Sequence, residues 1–254
     1  MSSTVLVEVR GNVQIMTLSN PDARNAATLE MAEAMAAALD ALDSNPALQV
    51  GIVTGAGGTF CSGMDLKGFL QGKRPTFEGR GFCGITQKPP RKPLIAAVEG
   101  YALAGGFEVV LACDLIVAAR TAKFGLPEVK RGLAAAAGGL LRLPRRLPYH
   151  IAMEAILTGD MFSAELAHTH GLVNRLVEQG QALDAALTLA QAVAANGPQA
   201  LIASKRVAQE SADWTQAEMF DRQAAITTPV FTSQDAREGA AAFAEKRAPV
   251  WKGV

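Results

Sequence analysis

The chain has 254 residues, 49% of them hydrophobic, 6% aromatic and 19% charged, enough to bury a sizeable core. Lys plus Arg and Asp plus Glu are 24 each, so the formal net charge is zero, and no global field favours nucleic acid or an anionic membrane surface. No run of about 18 uninterrupted apolar residues occurs, which excludes a predicted spanning helix.

In chain order, the N-terminal "MSSTVLVEVRGNVQIMTLS" lacks a basic region followed by an apolar run, so no secretory signal is expected and the predicted location is the cytoplasm. "VLVEVR" (5–10) and "VQIMTLS" (13–19) read as a hairpin turning at Gly11-Asn12. After the polar turn "NPDARNA", Thr28 is placed to cap a helix with Ala32, Met35, Ala36, Leu39 and Leu42 on one face. "VGIVTG" (50–55), "PLIAAVEG" (93–100) and "DLIVAA" (114–119) read as buried strands, and a helix is expected to start near Gly105. The stretch 68–92, rich in Gly, Pro and charge, reads as a mobile loop with little regular structure. Beyond Leu140 the pattern turns helical. Pro148 opens one helix, Ser163 caps another that stops at Gly171, Pro198 starts a third, and a last one runs from about Ser233 to before Pro249. Alternating strands and helices followed by helices argue α/β, with a core over 1–195 and a C-terminal helical region over 196–254.

Three further motifs fall short of a site. "VTGAGGTF" follows a strand, but Phe60 stands where a dinucleotide fingerprint needs its last glycine. His168 and His170 have a suggestive spacing without a third ligand, so no metal is expected. Cys61, Cys83 and Cys113 share no metal-like spacing and read as thiols in a reducing compartment. Asp65 and Asp114 read as ties for loop backbone, and Arg142, Arg145 and Arg146 as a solvated or subunit-facing cluster.

"GYALAGGFEVVLACDLIVAA" (100–119) raises a sharper question, because Glu108 stands in an almost wholly apolar run, and an ionised group out of water must be paired, neutralised or used. A helix opening at Gly105-Gly106 presents free N–H groups with the positive end of its dipole behind them, and Glu108 lies in that first turn. "FCSGMDLK" (60–67) can supply a second N–H, and "FGLPEVKRGL" places Glu128 in another apolar setting. Two donors and two carboxyl groups suit polarising a carbonyl while protons move nearby. A dipole-complementing Glu108 and a solvated Glu128 are the plain alternatives.

The segments "FCSGMDLK", "VEGYALAGGFEVVLACDLIVAA", "FGLPEVKRGL", "AAGGLLRLP" and "EGAAAFAEKRAPVWKG", in this order, resemble the crotonase superfamily and, within it, the enoyl-CoA hydratases. The resemblance implies a crotonase-like spiral of ββα units with a C-terminal helical region for trimerisation, and a homotrimer or a dimer of trimers. It implies backbone N–H groups of Met64 and Gly105 around a thioester oxygen, and Glu108 and Glu128 as the acid–base pair. Coenzyme A would arrive as part of an acyl-CoA substrate, with no other cofactor. Ala23 would meet the adenine, Arg24 a phosphate in place of the lysine that relatives carry near Asp22, and Phe243 and Lys246 the coenzyme of a neighbouring subunit. For Phe243 the alternative is a core position, and for Lys246 a partner of the helix end. The implied reaction is hydration of a trans-2-enoyl-CoA. Enoyl-CoA isomerisation, carnitinyl-CoA dehydration and a non-catalytic relative binding acyl-CoA or RNA are the alternatives.

Overall fold

The computed structural model describes residues 4–254. Six strands form the main sheet in chain order: β1 (Val5–Arg10), β2 (Val13–Leu18), β3 (Val50–Gly55), β4 (Leu94–Val98), β5 (Leu115–Ala119) and β6 (Arg175–Val177). The hairpin forms as expected, β1 running antiparallel to β2 with Arg10 opposite Val13. Every later pair is parallel, with Val13 opposite Val50, Gly51 opposite Leu94, Ile95 opposite Leu115 and Val117 opposite Arg175.

Each circuit of the chain also touches a second wall. Tyr101–Leu103 pairs with Lys123–Gly125, which pairs with Phe162–Ser163, and single bridges join Cys61 to Ala102 and Ala27 to Met64. A strand in the main sheet, an extended stretch in the second wall and a return to the main sheet make one turn of a spiral. The sheet is covered on both faces, which is why β3, β4 and β5 read as continuous apolar runs rather than alternating ones.

Helix α1 (Leu29–Ser44) is capped by Thr28, whose Oγ1 accepts from the Met31 N–H at 3.2 Å, and it buries the apolar face expected of it. Helix α2 (Gly105–Ala112) is buried along its length. Helix α3 (Gly139–Arg146) follows the Gly138-Gly139 pair, and the helices Tyr149–Thr158 and Ala164–Thr169 start at Pro148 and Ser163 as expected. On the other face lies α4 (Ala182–Ala194), whose buried Ala182, Ala186, Ala190 and Ala194 form a small-residue stripe packed on Val13, Ile15, Val50, Ile52 and Ile95. Alanine at every fourth position leaves no bulk between helix axis and sheet.

The segment 68–92 departs from the expected loop. It holds a hairpin, Thr76–Phe77 against Gly81–Phe82, and buries Arg80, Cys83, Ile85 and Thr86. Arg80 donates to the Lys88 carbonyl at 2.9 Å and pairs with Asp40 of α1. The buried guanidinium of Arg80 is thus satisfied internally, which lets a Gly- and charge-rich segment pack, although the buried Thr86 hydroxyl finds no partner among the described residues.

Three helices close the chain: α5 (Pro198–Glu210), α6 (Met219–Phe231) and α7 (Gln234–Glu245). The first of them is fastened to the sheet through Asp114, which follows α2. Its Oδ2 accepts from the Leu94 N–H at 2.8 Å and from Lys205 Nζ of α5 at 2.6 Å, and its Oδ1 from Gln209 at 2.9 Å. Lys205 Nζ also donates to the carbonyls of Pro90 and Lys92. Removing one member of a largely buried ion pair leaves the other charge stranded. Lys205→Met is expected to lower unfolding stability in denaturant by about 3 kcal/mol, with Lys205→Met/Asp114→Asn losing less than the sum of the single variants.

Candidate active site

Met64, Gly105, Glu108 and Glu128 line one cleft of about 500 Å³, with Phe82, Leu103, Leu133 and Ala136 among its walls. The spiral explains the convergence. Met64 follows the second-wall bridge at Cys61, Gly105 follows the second-wall strand Tyr101–Leu103, and Glu128 follows the second-wall strand Lys123–Gly125. Three successive turns therefore end beside one another.

Gly63, just before Met64, lies against the start of α2. A Cβ placed on Gly63 would stand 2.9 Å from Ala104 Cβ and 3.6 Å from Gly105 N. Ala104 itself has a φ of 50°. That left-handed backbone is costly for a residue with a Cβ, and it turns the chain so that Gly105 opens the helix. A Cβ at Gly105 would meet the Phe82 ring at 2.3 Å, so only glycine lets the ring and the backbone approach. Among the described residues, neither the Met64 N–H nor the Gly105 N–H finds a hydrogen-bond acceptor. Two free donors on adjacent loops of one cleft can receive a substrate oxygen that gains negative charge.

Glu108 is 3% exposed. Its Oε1 accepts from the Ala137 N–H at 2.7 Å and the Gly139 N–H at 2.8 Å. Burial pushes the carboxyl above its ordinary range, and the Gly139 and Ala137 N–H groups, with the Arg142 guanidinium, offset only part of that rise. Oε2 has no protein partner among the described residues. Glu128 sits in the 3-10 turn Pro127–Arg131, and its buried Oε2 has no hydrogen-bond partner among the described residues. Its carboxyl is pushed up to about 7, chiefly by burial and further by Glu108, against its own backbone N–H and Arg131. Two carboxyl groups in one cleft thus differ in environment: two loop N–H groups and Arg142 favour the anion of Glu108 against burial, whereas Glu128 has only its own backbone N–H and Arg131 to oppose burial. That difference separates a proton acceptor from a proton donor.

The remaining expected positions divide. Ala23 and Arg24 lie in the turn at the cleft's edge, where Ser62, a lining residue, donates its N–H to the Arg24 carbonyl at 3.0 Å and its hydroxyl to the Ala23 carbonyl at 3.3 Å. Phe243 and Lys246 do not line the cleft of their own chain. Phe243 is 87% exposed, which overturns the core reading of that position, and Lys246 ends α7 in a left-handed conformation. Cys61 is a buried thiol pushed up to about 11, and Asp65 accepts from the Gly68 N–H at 3.2 Å. His168 meets the Val173 carbonyl through Nδ1 at 2.8 Å.

Two residues carry more than the sequence suggested. Asn25 is fully buried, donates to the Ala56 and Thr59 carbonyls and accepts from the Asn20 N–H, so it pins the turn that carries Ala23 and Arg24. Arg142 does not belong to a surface cluster. It turns inward and donates to the Thr86 carbonyl at 2.6 Å, whereas Arg145 points outward.

A spiral of strand pairs, two unpaired N–H groups and two dissimilar carboxyl groups in one cleft define a fold and site built for chemistry beside a polarised carbonyl. The chain matches the enoyl-CoA hydratase/isomerase family over residues 8–254, and it belongs to that family. It is 44% identical over 255 residues to Enoyl-CoA hydratase EchA19 of Mycobacterium tuberculosis, covering 96% of this chain and 94% of that one. It is 41% identical over 261 residues to the carnitinyl-CoA dehydratase of Salmonella typhi, each chain covered in full. Among solved structures, an enoyl-CoA hydratase from Mycobacterium tuberculosis H37Rv superposes with a TM-score of 0.98 at 57% identity, both chains covered in full.

The state of Glu128 bears on stability. A carboxyl that binds its proton more tightly when folded costs stability as pH rises from its ordinary value through about 7. Glu128→Gln is therefore expected to melt at a higher temperature than the parent at about pH 8, the gap closing as pH falls toward about 4. Thermal unfolding across that range checks this.

Proposed function

We propose that the protein is an enoyl-CoA hydratase, adding water reversibly across the double bond of a trans-2-enoyl-CoA to give a 3-hydroxyacyl-CoA. The observation that carries this reading is the pairing of Glu108 and Glu128, in unlike environments, beside the free Met64 and Gly105 N–H groups. The thioester oxygen sits between those two N–H groups. As the water oxygen bonds to the β-carbon, Glu108 takes its proton and the double-bond electrons move into the thioester as an enolate. Glu128 gives its proton to the α-carbon, and the enolate collapses to the product. Exchange of protons with solvent then resets the pair. Preorganised N–H donors favour the enolate over the ground-state carbonyl because they need no rearrangement as charge develops.

The roles follow from the surroundings. Glu108 holds two N–H bonds on Oε1, which favour its anion and leave Oε2 to orient water. Glu128 lacks such donors on Oε2 and keeps its proton near neutrality. The chemistry needs no resident cofactor, since coenzyme A comes with the substrate. Ala23 and Arg24, at the cleft's edge, suit contact with its adenine and phosphates. Phe243 and Lys246, unoccupied in their own chain, suit contact with the coenzyme of a neighbouring copy in a homotrimer or dimer of trimers. No helix among the described residues is long and apolar enough to cross a membrane. A second reading, dehydration of a carnitinyl-CoA, runs the same elimination on a charged acyl group and is favoured by the 41% identity to the Salmonella enzyme.

Loss of the enoyl-thioester absorbance of crotonyl-CoA tests the proposal, with crotonobetainyl-CoA as the competing substrate. The parent is expected to turn over, with Glu108→Gln and Glu128→Gln each slower by at least about a hundredfold. The hydration rate constant kcat/KM is expected to fall as pH rises through about 7, where Glu128 loses its proton. An enzyme inactive on enoyl-CoA of every chain length would sink the hydratase reading.

A further inference from the structure

Arg142 stands one turn into α3, where its side chain passes under Gly138. A Cβ on Gly138 would lie 2.2 Å from Arg142 Nη1, and Gly138 has a φ of 104°. The guanidinium thus fills the space that only a glycine leaves. Nη2 donates to the Thr86 carbonyl at 2.6 Å, and Nη1 reaches the Ala137 carbonyl at 3.5 Å. Ala137 is also the residue whose N–H holds Glu108 Oε1. One peptide stretch is therefore gripped from both sides, by the guanidinium on its carbonyl and by the carboxylate on its N–H.

The stretch needs such a grip. Residues 134–137 are four alanines, which offer no polar side chain to fix the backbone. Thr86 and Ala137 both line the cleft, so Arg142 also ties the segment 68–92 to the loop that carries the Glu108 donors. The charges that face this cluster are few. Arg146 and Cys113 face Arg142, Glu128 faces Glu108, and Arg131 faces Glu128. Cys113 is a buried neutral thiol, pushed up to about 12. Arg146 repels Arg142 and donates to the Cys113 carbonyl at 3.4 Å, away from the carboxyl pair. Arg142 is the cation that acts on Glu108.

We infer that Arg142 is a positioning residue for the reaction: it braces the Ala137–Gly139 peptides that hold the Glu108 carboxylate and places a positive charge behind that carboxylate. This rests on the hydratase reading. Its loss frees the loop, lengthens the N–H contacts on Oε1 and leaves burial less opposed, so Glu108 takes up a proton at higher pH.

Three variants test it: Arg142→Gln, Arg142→Lys and, as a control, Arg145→Gln, whose arginine is exposed and reaches Asp213 only at 3.9 Å. Arg142→Gln is expected to lower kcat on crotonyl-CoA by about ten- to a hundredfold, as misplacement of a reacting group does. KM should stay within about threefold, since the lost interaction acts on the chemical step. The acid limb of the pH profile should move up by roughly one unit, as loss of a nearby opposite charge predicts. Arg142→Lys keeps the charge and should hold the acid limb near the parent's. It should still lose at least about fivefold in kcat, because an ammonium cannot reproduce the planar fork across two carbonyls. Arg145→Gln should match the parent.

A second readout does not need turnover. The carboxylate band of Glu108, found by infrared difference against Glu108→Gln, should titrate about one unit higher in Arg142→Gln than in the parent. Inactivity of the parent would end the hydratase reading while the infrared titration still judges the Arg142–Glu108 coupling. An unmoved acid limb together with an unmoved infrared midpoint would reduce Arg142 to a packing residue. Parent-like kcat in Arg142→Lys would likewise overturn the bracing role, and that variant carries the test should Arg142→Gln fail to fold.

Discussion

A carboxyl group taken out of water has to be held by something, and much of the architecture around α2 serves to hold Glu108. Burial disfavours its anion. Two backbone N–H groups on one oxygen and an arginine behind them oppose that tendency. Those N–H groups are available because the chain between the 3-10 turn and α3 passes over the carboxylate, and glycine at 139 gives it room to do so. A Cβ there would stand 3.1 Å from both Cγ and Oε1 of Glu108. The Gly138-Gly139 pair thus serves two side chains: the first glycine makes room for Arg142 and the second for Glu108.

The spiral supplies the remaining coordination between distant parts of the sequence. Each turn leaves the main sheet and passes through the second wall, so residues about 40 apart in the chain, such as Met64 and Gly105, arrive at one place. The donors they present belong to backbone and not to side chains. Their position is therefore set by ladder register and by the close approach of Gly63, Ala104 and Phe82. The strained conformation of Ala104 is tolerated because its N–H is bound to the Gly125 carbonyl at 2.9 Å, and its carbonyl accepts from Phe107 and Glu108. Asp114 joins the same sheet to the first C-terminal helix through Lys205, so the strand that leads to the cleft and that helix are mechanically linked.

Much of this was legible in the sequence because local rules and global fold agree there. The turn at Gly11-Asn12, the cap at Thr28, the helix start at Gly105 and the apolar runs of β3, β4 and β5 each depend on short-range chemistry. Glu108 was visible as a charge in an apolar run. Arg142 was not, because two more arginines within four residues look like a solvated face, and nothing local says that one of them passes beneath a glycine into the interior. The order of the 68–92 segment is hidden for a related reason: it comes from long-range contacts such as Arg80 with Asp40, which composition does not reveal. Phe243 has the pattern of a core residue on an amphipathic helix, yet it stands exposed because the helix face it occupies has no partner within the chain.

The tight fit of Gly139 against Glu108 has a consequence for descent. In a lineage where Glu108 gave way to a smaller residue, a side chain at position 139 would have only Leu126 Cδ1, 3.1 Å from its Cβ, left to displace. Once it was in place, the returning glutamate would find its seat taken and its N–H donor displaced. Loss of the acid would then be easier to take than to undo, since its return would require the neighbours of position 139 to give way again.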